Sequence, residues 1–481
     1  MQNKSLGKNL IVYMIKTVVV LLFPLITFPY ITRILSVDSI GKVNFSTSII
    51  SYFSLIASLG ISTFAIRSGA KFRDDREKMS LFASEIFSIN ILTTIIAYIA
   101  FFVAFANSAK WHHYTVIMMI LSIQIPLTTI GVEWLFAIYE EYTYMTVRTI
   151  IVQFVSLIFL FVFVRDKGDV YWYTVYLVLS AVGTNVLNFV RSFKYVKFRF
   201  VLTSEMISYI KPILILFAST VATQIYLNSD ITILGYLCSD WDVGLYHSAV
   251  KIYNIITSVL TSLGYVSLAR LGYFLEHDKK QYDLLFTKMF NIIVYLSIPC
   301  AFGLWLVSSD MMVLFAGSQY IAAGPLLQVL TIAIPLSVLV SYVASGCLVI
   351  YGKENCILFA TVVGALFNII FNIILIPKFG TVAAAWTTVG SELITLSIHL
   401  INIRKIYKIH GVLKSMVKVF AACIVMAVVC RLVMMQISGM LPRLAAVVAV
   451  GVVTYLLCTI LFKHEIMSEG ISVMKQKLNR I

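Results

Sequence analysis

This chain of 481 residues has few charges and no recognisable catalytic motif. Only 12% of its residues are charged and 60% are hydrophobic, which excludes an ordinary soluble domain with a polar surface. It contains no P-loop, so we expect no direct use of ATP through that motif, and no Ser-His-Asp grouping. Its 7 cysteines are not spaced as metal ligands. We therefore expect no enzyme, metal site, cofactor or disulfide framework, and the hydrophobic segments become the main source of information.

Long hydrophobic runs, separated by charged or Pro/Gly-marked breaks, predict the fold class. A spanning helix needs about 20 apolar residues, and fourteen runs are near or above that length, so we predict an all-α integral membrane protein. The fourteen predicted transmembrane helices lie at 10–35, 40–66, 79–106, 114–139, 144–164, 171–190, 210–236, 244–269, 284–307, 323–351, 355–376, 381–403, 412–435 and 441–462.

The distribution of basic residues predicts the orientation. If the N-terminus is cytoplasmic and fourteen helices span the membrane, 27 of the 37 Lys and Arg residues fall on the cytoplasmic side and nine on the outer side. That asymmetry is what the positive-inside rule requires. We therefore interpret the net charge of +15 as orientation and attraction to anionic lipid, and we expect no nucleic-acid partner. Both termini are predicted to be cytoplasmic.

A weak internal repeat suggests two halves. A shift of 203 residues superposes Gly41 on Gly244 and Arg67 on Arg270, and in both copies we expect a long helix to end at the arginine. Six predicted helices separate the copies, so the halves enter the membrane in the same orientation. Parallel repeats of this kind are related by an axis along the membrane normal and are common in transporters.

The repeat predicts a division into two six-helix lobes and a C-terminal pair of helices. We assign 1–200 to the N-terminal lobe, 201–410 to the C-terminal lobe, and 411–481 to helices 13 and 14 with a cytoplasmic tail. The lobes would be related by a pseudo-two-fold axis along the membrane normal. The basic segment 191–199 would link them on the cytoplasmic side.

Seven charged residues interrupt stretches of the predicted helices that otherwise consist mainly of Ile, Leu, Val, Phe and Ala. An ion in hydrocarbon costs about 2.5–3.5 kcal/mol on insertion scales, so such residues usually form pairs or face a wet cavity. Their presence indicates that something polar crosses the membrane here. They are Lys16, Glu133, Arg148, Asp230, Lys251, Glu392 and Arg431.

Several blocks of sequence resemble one transporter family. The run Phe-Pro-Leu-Ile-Thr-Phe-Pro-Tyr-Ile-Thr-Arg-Ile-Leu at 23–35, together with the blocks at 41–45, 58–63, 133–148, 244–252 and 351–355, resembles the Wzx-type polysaccharide flippases. These belong to the multidrug/oligosaccharidyl-lipid/polysaccharide exporter superfamily. The resemblance implies two six-helix bundles around a cavity and translocation of an undecaprenyl-pyrophosphate-linked oligosaccharide from the inner to the outer leaflet by alternating access. The lipid II flippases of this superfamily carry a cavity cation on helix 8, where this chain has Lys251.

Cations in a low-dielectric cavity would offset the lost hydration of a pyrophosphate. We therefore expect Lys251 and Lys16 to bind the pyrophosphate. Lys251 could equally form a salt bridge with Asp230, and Lys16 lies shallow enough in helix 1 to reach the inner interface by snorkelling. Arg67 and Arg270 are candidates for a cytoplasmic mouth, with ordinary positive-inside anchoring as the alternative.

The buried acids suggest ion coupling. Asp230 and Glu392 are candidates for binding Na⁺ or H⁺, and a neutral Glu392 hydrogen-bonded to a neighbouring helix is the alternative. Glu133 and Arg148 flank the turn between helices 4 and 5, so we expect a structural ion pair there.

Three rival functions remain at this point. A cation-coupled drug antiporter of the same superfamily would have an acidic cavity and usually twelve helices. A membrane-embedded polysaccharide polymerase or acyltransferase needs an outer loop large enough for a catalytic site, whereas most outer loops here are under a dozen residues. A structural subunit of a synthesis complex would tolerate loss of the buried charges. The expected partners are a lipid-linked oligosaccharide, membrane lipid, and a polysaccharide polymerase or glycosyltransferases.

Overall fold

The computed structural model describes the backbone of residues 6–404 and 412–469. Side chains are described for 19–20, 22–218, 220–404 and 415–469. These residues form helices and connecting turns, with no β-strand among them, as the all-α prediction requires. The chain divides into two compact units, Met1–Gly244 and Leu245–Ile481.

The first unit contains eleven helices and the first turn of a twelfth. These are α1 (Leu6–Ile34), α2 (Val37–Ser58), α3 (Ile61–Gly69), α4 (Arg76–Asn107), α5 (Ala109–His112), α6 (Thr115–Ser122), α7 (Gln124–Thr129), α8 (Glu133–Ile138), α9 (Tyr142–Phe163), α10 (Val170–Ser192), α11 (Glu205–Leu237) and the start of α12 (Asp240–His277), with a 3₁₀ turn at Ala70–Phe72.

The second unit contains the rest of α12 and seven further helices. These are α13 (Lys279–Leu306), α14 (Ser308–Ala316), α15 (Gly324–Val343), α16 (Glu354–Phe379), α17 (Thr381–Ile403), α18 (Val412–Gln436) and α19 (Met440–Leu461), with a 3₁₀ segment at Ser318–Ala323. A π-helix, Ala344–Val349, continues α15.

Twelve helical spans in the described part of the chain are long and apolar enough to cross a membrane. The protein is therefore a multi-pass membrane protein. The two other predicted segments fall on α1, of which Leu22–Ile34 qualifies as a shorter apolar helix, and on α17, whose Thr, Ser, Glu and His residues make it more polar. The total of fourteen spans and the symmetry of the lobes stay predictions.

The predicted division into lobes at residue 200 also stays a prediction. Helix α11, assigned from the sequence to the second lobe, packs against α2 and α3 in the first unit. The basic segment 191–199 lies inside the first unit as well.

The prediction that both repeat copies end at an Arg-x-Gly is correct for Arg67 and wrong for Arg270. Helix α3 ends at Gly69, where the Cβ of any larger residue would press on Ile138 and Phe82. Helix α12 instead continues through Arg270 to His277, because Gly272 has open space around it and nothing interrupts the helix there.

A break between α2 and α3 is completed by side chains of α4. Leu59 and Gly60 both have positive φ values, 46° and 63°, which ends the helical hydrogen bonding. The carbonyl of Ala57 accepts instead from Asn90 Nδ2 at 2.9 Å and from Thr93 Oγ1 at 2.8 Å. Since water is absent from the hydrocarbon core, a helix can be interrupted there only if a neighbour supplies the missing partners.

The predicted fourth spanning helix is also broken, into α6, α7 and α8, and α10 supplies the missing donors. Asn185 Nδ2 donates to the Leu127 carbonyl at 3.0 Å, and Asn188 Nδ2 donates to the Gly131 carbonyl at 3.2 Å. Asn188 is completely buried. Asparagines in apolar helices are therefore used here to satisfy a neighbour's backbone.

The core of the second unit forms around α13 and α15. The buried Tyr282 hydroxyl donates to the Gly346 carbonyl in the π-helix at 2.9 Å, which satisfies the backbone at that irregular turn. The hairpin of α18 and α19 packs on α13, where Tyr455 donates to the Tyr295 carbonyl at 2.7 Å. An ion pair between Arg443 and Asp310 joins the start of α19 to α14.

Candidate functional site

The polar residues of α17 define the candidate site in the second unit. Helix α16 approaches this face closely at Gly364, where the Cβ of a larger residue would lie 2.6 Å from Thr395 Oγ1. Small residues allow such close helix contacts in membranes. The buried polar side chains on α17 are Thr387, Ser391, Glu392, Thr395 and His399.

An amide–hydroxyl network joins α16 to α17. Asn372 Nδ2 donates to Asn368 Oδ1 at 3.0 Å, and Thr387 Oγ1 donates to Asn372 Oδ1 at 2.5 Å. All three residues are buried. Tyr246 on α12 extends the network, because its hydroxyl lies 3.1 Å from Thr388 Oγ1. These contacts place hydroxyl and amide groups in the middle of apolar helices.

Glu392 lies on the same side of α17 and interacts with Tyr253 on α12. The Tyr253 hydroxyl on α12 hydrogen-bonds the side chains of Glu392 and Ser337, the latter on α15. Both Tyr253 and Glu392 are more than nine-tenths buried. His399 lies two turns further along α17 and is also buried, with neither ring nitrogen hydrogen-bonded in the geometry described. The second unit therefore holds a buried acid among hydroxyl groups.

Lys251 does not lie on the face of α12 that meets Glu392. It is two positions before Tyr253, and two residues turn an α-helix by about 200°, so the two side chains leave α12 on nearly opposite sides. Its side chain is half-buried, and His247 lies one turn before it. The lysine is thus separate from the buried network, and its anion-binding role stays a prediction.

Asp230 belongs to a smaller polar group in the first unit. Thr232 on α11 donates to Ser48 Oγ on α2 at 3.0 Å, and the Tyr52 hydroxyl lies 3.1 Å from Thr232 Oγ1. Asp230 is close enough to Tyr52 for an electrostatic interaction. Asp230 and Lys251 are in different units, so their predicted pairing stays a prediction.

The predicted ion pair between Glu133 and Arg148 is present. Arg148 Nη2 lies 3.1 Å from Glu133 Oε1, and Nη1 donates to the Thr184 carbonyl at 3.3 Å. The arginine side chain is 3% exposed and the glutamate 45% exposed. The pair therefore joins α8 to α9 with the cation buried and the acid at the edge.

The remaining candidates for the site are Arg67, Arg270 and Lys16. Arg67 and Arg270 are both exposed, which is compatible with a mouth and with simple anchoring, so their role stays a prediction. The side chain of Lys16 lies outside the described residues. Among the described residues, no group of three or more His, Cys, Asp and Glu side chains could hold a metal ion.

Sequence reasoning missed Glu85, a buried acid on α4. It is 1% exposed and accepts hydrogen bonds from Thr203 Oγ1 and from the Tyr209 hydroxyl. It was not among the charges that the sequence analysis singled out, although it lies within the predicted helix 79–106. The buried Asn368, Asn372 and His399 were missed too, although three such residues in two apolar helices are a signal of internal polar contacts.

Comparisons with known proteins agree with the membrane architecture. The family described as polysaccharide biosynthesis protein matches residues 6–269, more than half of the chain. A relative from Shigella dysenteriae named "Putative O-antigen transporter" is 23% identical over 383 residues, covering 78% of this chain and 93% of the relative. A relative of the same name from Escherichia coli K12 is 27% identical over 150 residues, covering 31% of this chain and 36% of the relative.

Solved structures show the same fold at low sequence identity. The lipid II flippase MurJ in an inward closed conformation superposes with a TM-score of 0.79 at 15% identity, covering 95% of this chain and all of that chain. A MATE transporter in a bent conformation gives a TM-score of 0.51 at 15% identity, with 85% and 95% covered. The resemblance inferred from the sequence blocks is confirmed: the chain belongs to the polysaccharide biosynthesis protein family, and it shares its fold with the lipid II flippase and with transporters of the multidrug/oligosaccharidyl-lipid/polysaccharide exporter superfamily.

Proposed function

We propose that this protein flips an undecaprenyl-pyrophosphate-linked oligosaccharide from the inner to the outer leaflet of a bacterial plasma membrane. The observation that carries this proposal is the combination of family membership with a fold match along nearly the whole chain to a lipid II flippase. The names of the two O-antigen transporter relatives support a glycan substrate. Both termini would be cytoplasmic, as the positive-inside distribution favours.

In the proposed mechanism, Lys251 and Lys16 bind the pyrophosphate. A half-buried ammonium attracts a diphosphate strongly because little water screens the two charges. The exposed Arg67 and Arg270 would concentrate anionic headgroups at the cytoplasmic entrance. Fourteen spanning helices in two lobes would move by alternating access and expose the bound headgroup to each side in turn.

Coupling to Na⁺ or H⁺ would use the buried acids. Glu392 is hydrogen-bonded by the Tyr253 hydroxyl in the second unit, and Asp230 lies near Tyr52 in the first. An acid in such a setting gains or loses a proton, or a bound cation, with little competition from water. Glycosyltransferases would act before the flip, and a polysaccharide polymerase would act after it.

The deciding experiment is deletion of the gene followed by analysis of lipid-linked repeat units. A flippase predicts that complete units accumulate on the inner leaflet, whereas loss of a polymerase would leave single units on the outer leaflet. Lys251→Ala and Lys251→Arg then test the binding role. We expect the Ala variant to lose export and the Arg variant to keep part of it at equal abundance. Full export by Lys251→Ala would contradict the role of this lysine.

A drug antiporter is the second candidate, because the MATE transporters share the fold. It is disfavoured by the more extensive match to the lipid II flippase. Normal surface polysaccharide in the deletion strain, together with new drug sensitivity, would favour the antiporter.

A further inference from the structure

The first turns of α4 carry three serines at intervals of four residues, Ser80, Ser84 and Ser88, which places them on one face of the helix. Each hydroxyl donates to the carbonyl four residues earlier, at 2.7, 2.7 and 2.8 Å for the three serines in order. This is the usual way in which serine is accommodated inside a helix. The oxygen of each serine can still accept a hydrogen bond, because a hydroxyl oxygen has two lone pairs.

A segment between α10 and α11 supplies the donors. The amides of Lys197, Arg199 and Val201 donate to the three serine oxygens in turn, at 3.3, 3.1 and 3.0 Å. These amides belong to alternate residues of a segment without helical structure. In the described part of the chain, the amides of Phe198 and Phe200 have no protein acceptor.

The two spacings match. Four residues of an α-helix advance by about 6 Å, and two residues of extended chain advance by about 6.6 Å. A helix with serine at every fourth position can therefore hydrogen-bond every second amide of an extended segment over three steps. The arrangement resembles one edge of a β-ladder in which serine hydroxyls replace the carbonyls of a partner strand.

Both ends of the segment are fixed by further contacts. Near its start, Phe198 packs on Phe87 of α4, with ring centroids 4.9 Å apart, and on Phe189 of α10, with centroids 5.8 Å apart. At its end, the buried Glu85 carboxylate accepts a hydrogen bond from Thr203 Oγ1. It accepts a second one, at 3.1 Å, from the hydroxyl of Tyr209, which lies on α11. One acid thus joins α4, the segment and α11.

We propose that residues 197–203 form a strap, bound along α4 by the serine ladder of Ser80, Ser84 and Ser88, which positions the N-terminal end of α11 against α4. The ladder serines and Glu85 are positioning residues and do not touch the substrate. The chain between the sixth and seventh predicted spanning helices is therefore a fixed element, and α11 moves together with α4.

The test is hydrogen–deuterium exchange of the purified full chain in detergent or nanodiscs, read at single residues by electron-transfer fragmentation. In the wild-type protein we expect the amides of Lys197, Arg199 and Val201 to exchange at least about tenfold more slowly than those of Phe198 and Phe200. Such an alternating pattern is specific to the ladder, because general burial of the segment would slow all five amides alike. Uniform exchange along the strap would overturn the proposal, and this measurement requires no variant.

The second part of the test uses the triple variant S80A/S84A/S88A, with S262A as its matched control. Ser262 is exposed, and its hydroxyl also donates to a carbonyl within its own helix. Its replacement therefore measures the effect of losing such a bond within a helix, without the loss of a ladder contact. We expect the triple variant to lose the alternation and to be cut several-fold faster by trypsin after Lys197 and Arg199. Cleavage after Lys279 and Lys280 serves as the internal reference. An unchanged exchange pattern and cleavage rate in a folded triple variant would refute the ladder.

Discussion

Gly41 and Gly244 lie directly against each other, and a Cβ atom placed on Gly41 would be 3.1 Å from the Gly244 amide nitrogen. The contact is reciprocal: a Cβ on Gly41 would strike the carbonyl oxygen of Asp240, and a Cβ on Gly244 would strike the carbonyl oxygen of Val37. The shift of 203 residues that revealed the repeat converts one of these contacts into the other.

The glycine contact predicts a sharp effect of adding one methyl group. We expect Gly41→Ala and Gly244→Ala each to destabilise the protein by about 1–3 kcal/mol, because backbone atoms cannot move aside as a flexible side chain can. Thermal unfolding in detergent measures the change. Gly272→Ala is the matched control, since it lies in α12 with nothing within 4 Å of the added Cβ. It should be neutral or slightly stabilising, and equal losses in all three variants would contradict the contact.

The broken fourth helix predicts that Asn188 is needed for stability. In Asn188→Leu the side chain keeps a similar size, but the Gly131 carbonyl loses its donor inside the membrane. An unsatisfied buried carbonyl costs about 1–3 kcal/mol, so the midpoint of unfolding should fall accordingly. Asn107→Leu, which changes an exposed asparagine at the end of α4, is the comparison. A midpoint that stays unchanged for Asn188→Leu would show that the carbonyl has another partner.

The Glu133–Arg148 pair predicts that removing the glutamate destabilises the protein more than removing the arginine does. Removing the glutamate leaves a buried guanidinium without its counter-ion, whereas removing the arginine leaves a half-exposed carboxylate that water can solvate. We expect Glu133→Ala to cost about 1–3 kcal/mol, and the double variant with Arg148→Met to recover part of that loss. Unfolding of the four proteins of the double-mutant cycle measures the coupling. Additive effects would mean that the contact contributes no energy.

A substitution of Glu392 can distinguish a role in ion coupling from a role in folding. Glu392→Gln keeps an acceptor for the Tyr253 hydroxyl but cannot bind a proton or neutralise a cation. We expect normal abundance and thermal stability, with export reduced at least about tenfold if this acid couples the cycle. Asp310→Asn, which weakens the ion pair with Arg443, is the control for loss of an acid with a purely structural role. Normal export by Glu392→Gln would exclude coupling at this position.

His464 predicts a loss of stability in mild acid. Burial, and secondarily the nearby Lys418 charge, lower the pKa of His464 below its usual value of 6.5. The unfolded chain therefore binds a proton first as the pH falls through 6.5, and the folded state becomes less stable from that point downward. The unfolding midpoint should decrease between pH 7.5 and pH 5.5, and His464→Gln, which can still pair with Ser415, should flatten the profile. An identical profile in the variant would assign the pH dependence to other groups.

The sequence was sufficient for features that depend on local chemistry. Hydrophobic runs identify the spanning segments because each helix buries itself in lipid independently of its partners. The Glu133–Arg148 pair could be predicted because a helical hairpin brings its own ends together. Glu392 was recognised as a charge within the twelfth predicted helix, although its partner on α12 and the polar contacts of α17 with α16 were not.

Features that depend on distant partners could not be predicted. Glu85 has its two hydrogen-bond donors 118 and 124 residues further along the chain, so nothing near it in sequence distinguishes it from an interfacial acid. The positive φ at Leu59 is likewise tolerated because Asn90 and Thr93, on another helix, satisfy the Ala57 carbonyl. A segment such as 197–203 has no pattern of its own, and its extended shape follows from the serine spacing of α4.

The asparagine contacts between neighbouring helices have a consequence for biogenesis. The Leu127 and Gly131 carbonyls leave the ribosome well before Asn185 and Asn188, which are their donors, have been synthesised. During that interval the segment that becomes α7 and α8 is poorly suited to lie alone in lipid, because its exposed backbone has no partner there. We therefore expect stable integration of this segment to await the synthesis of α10.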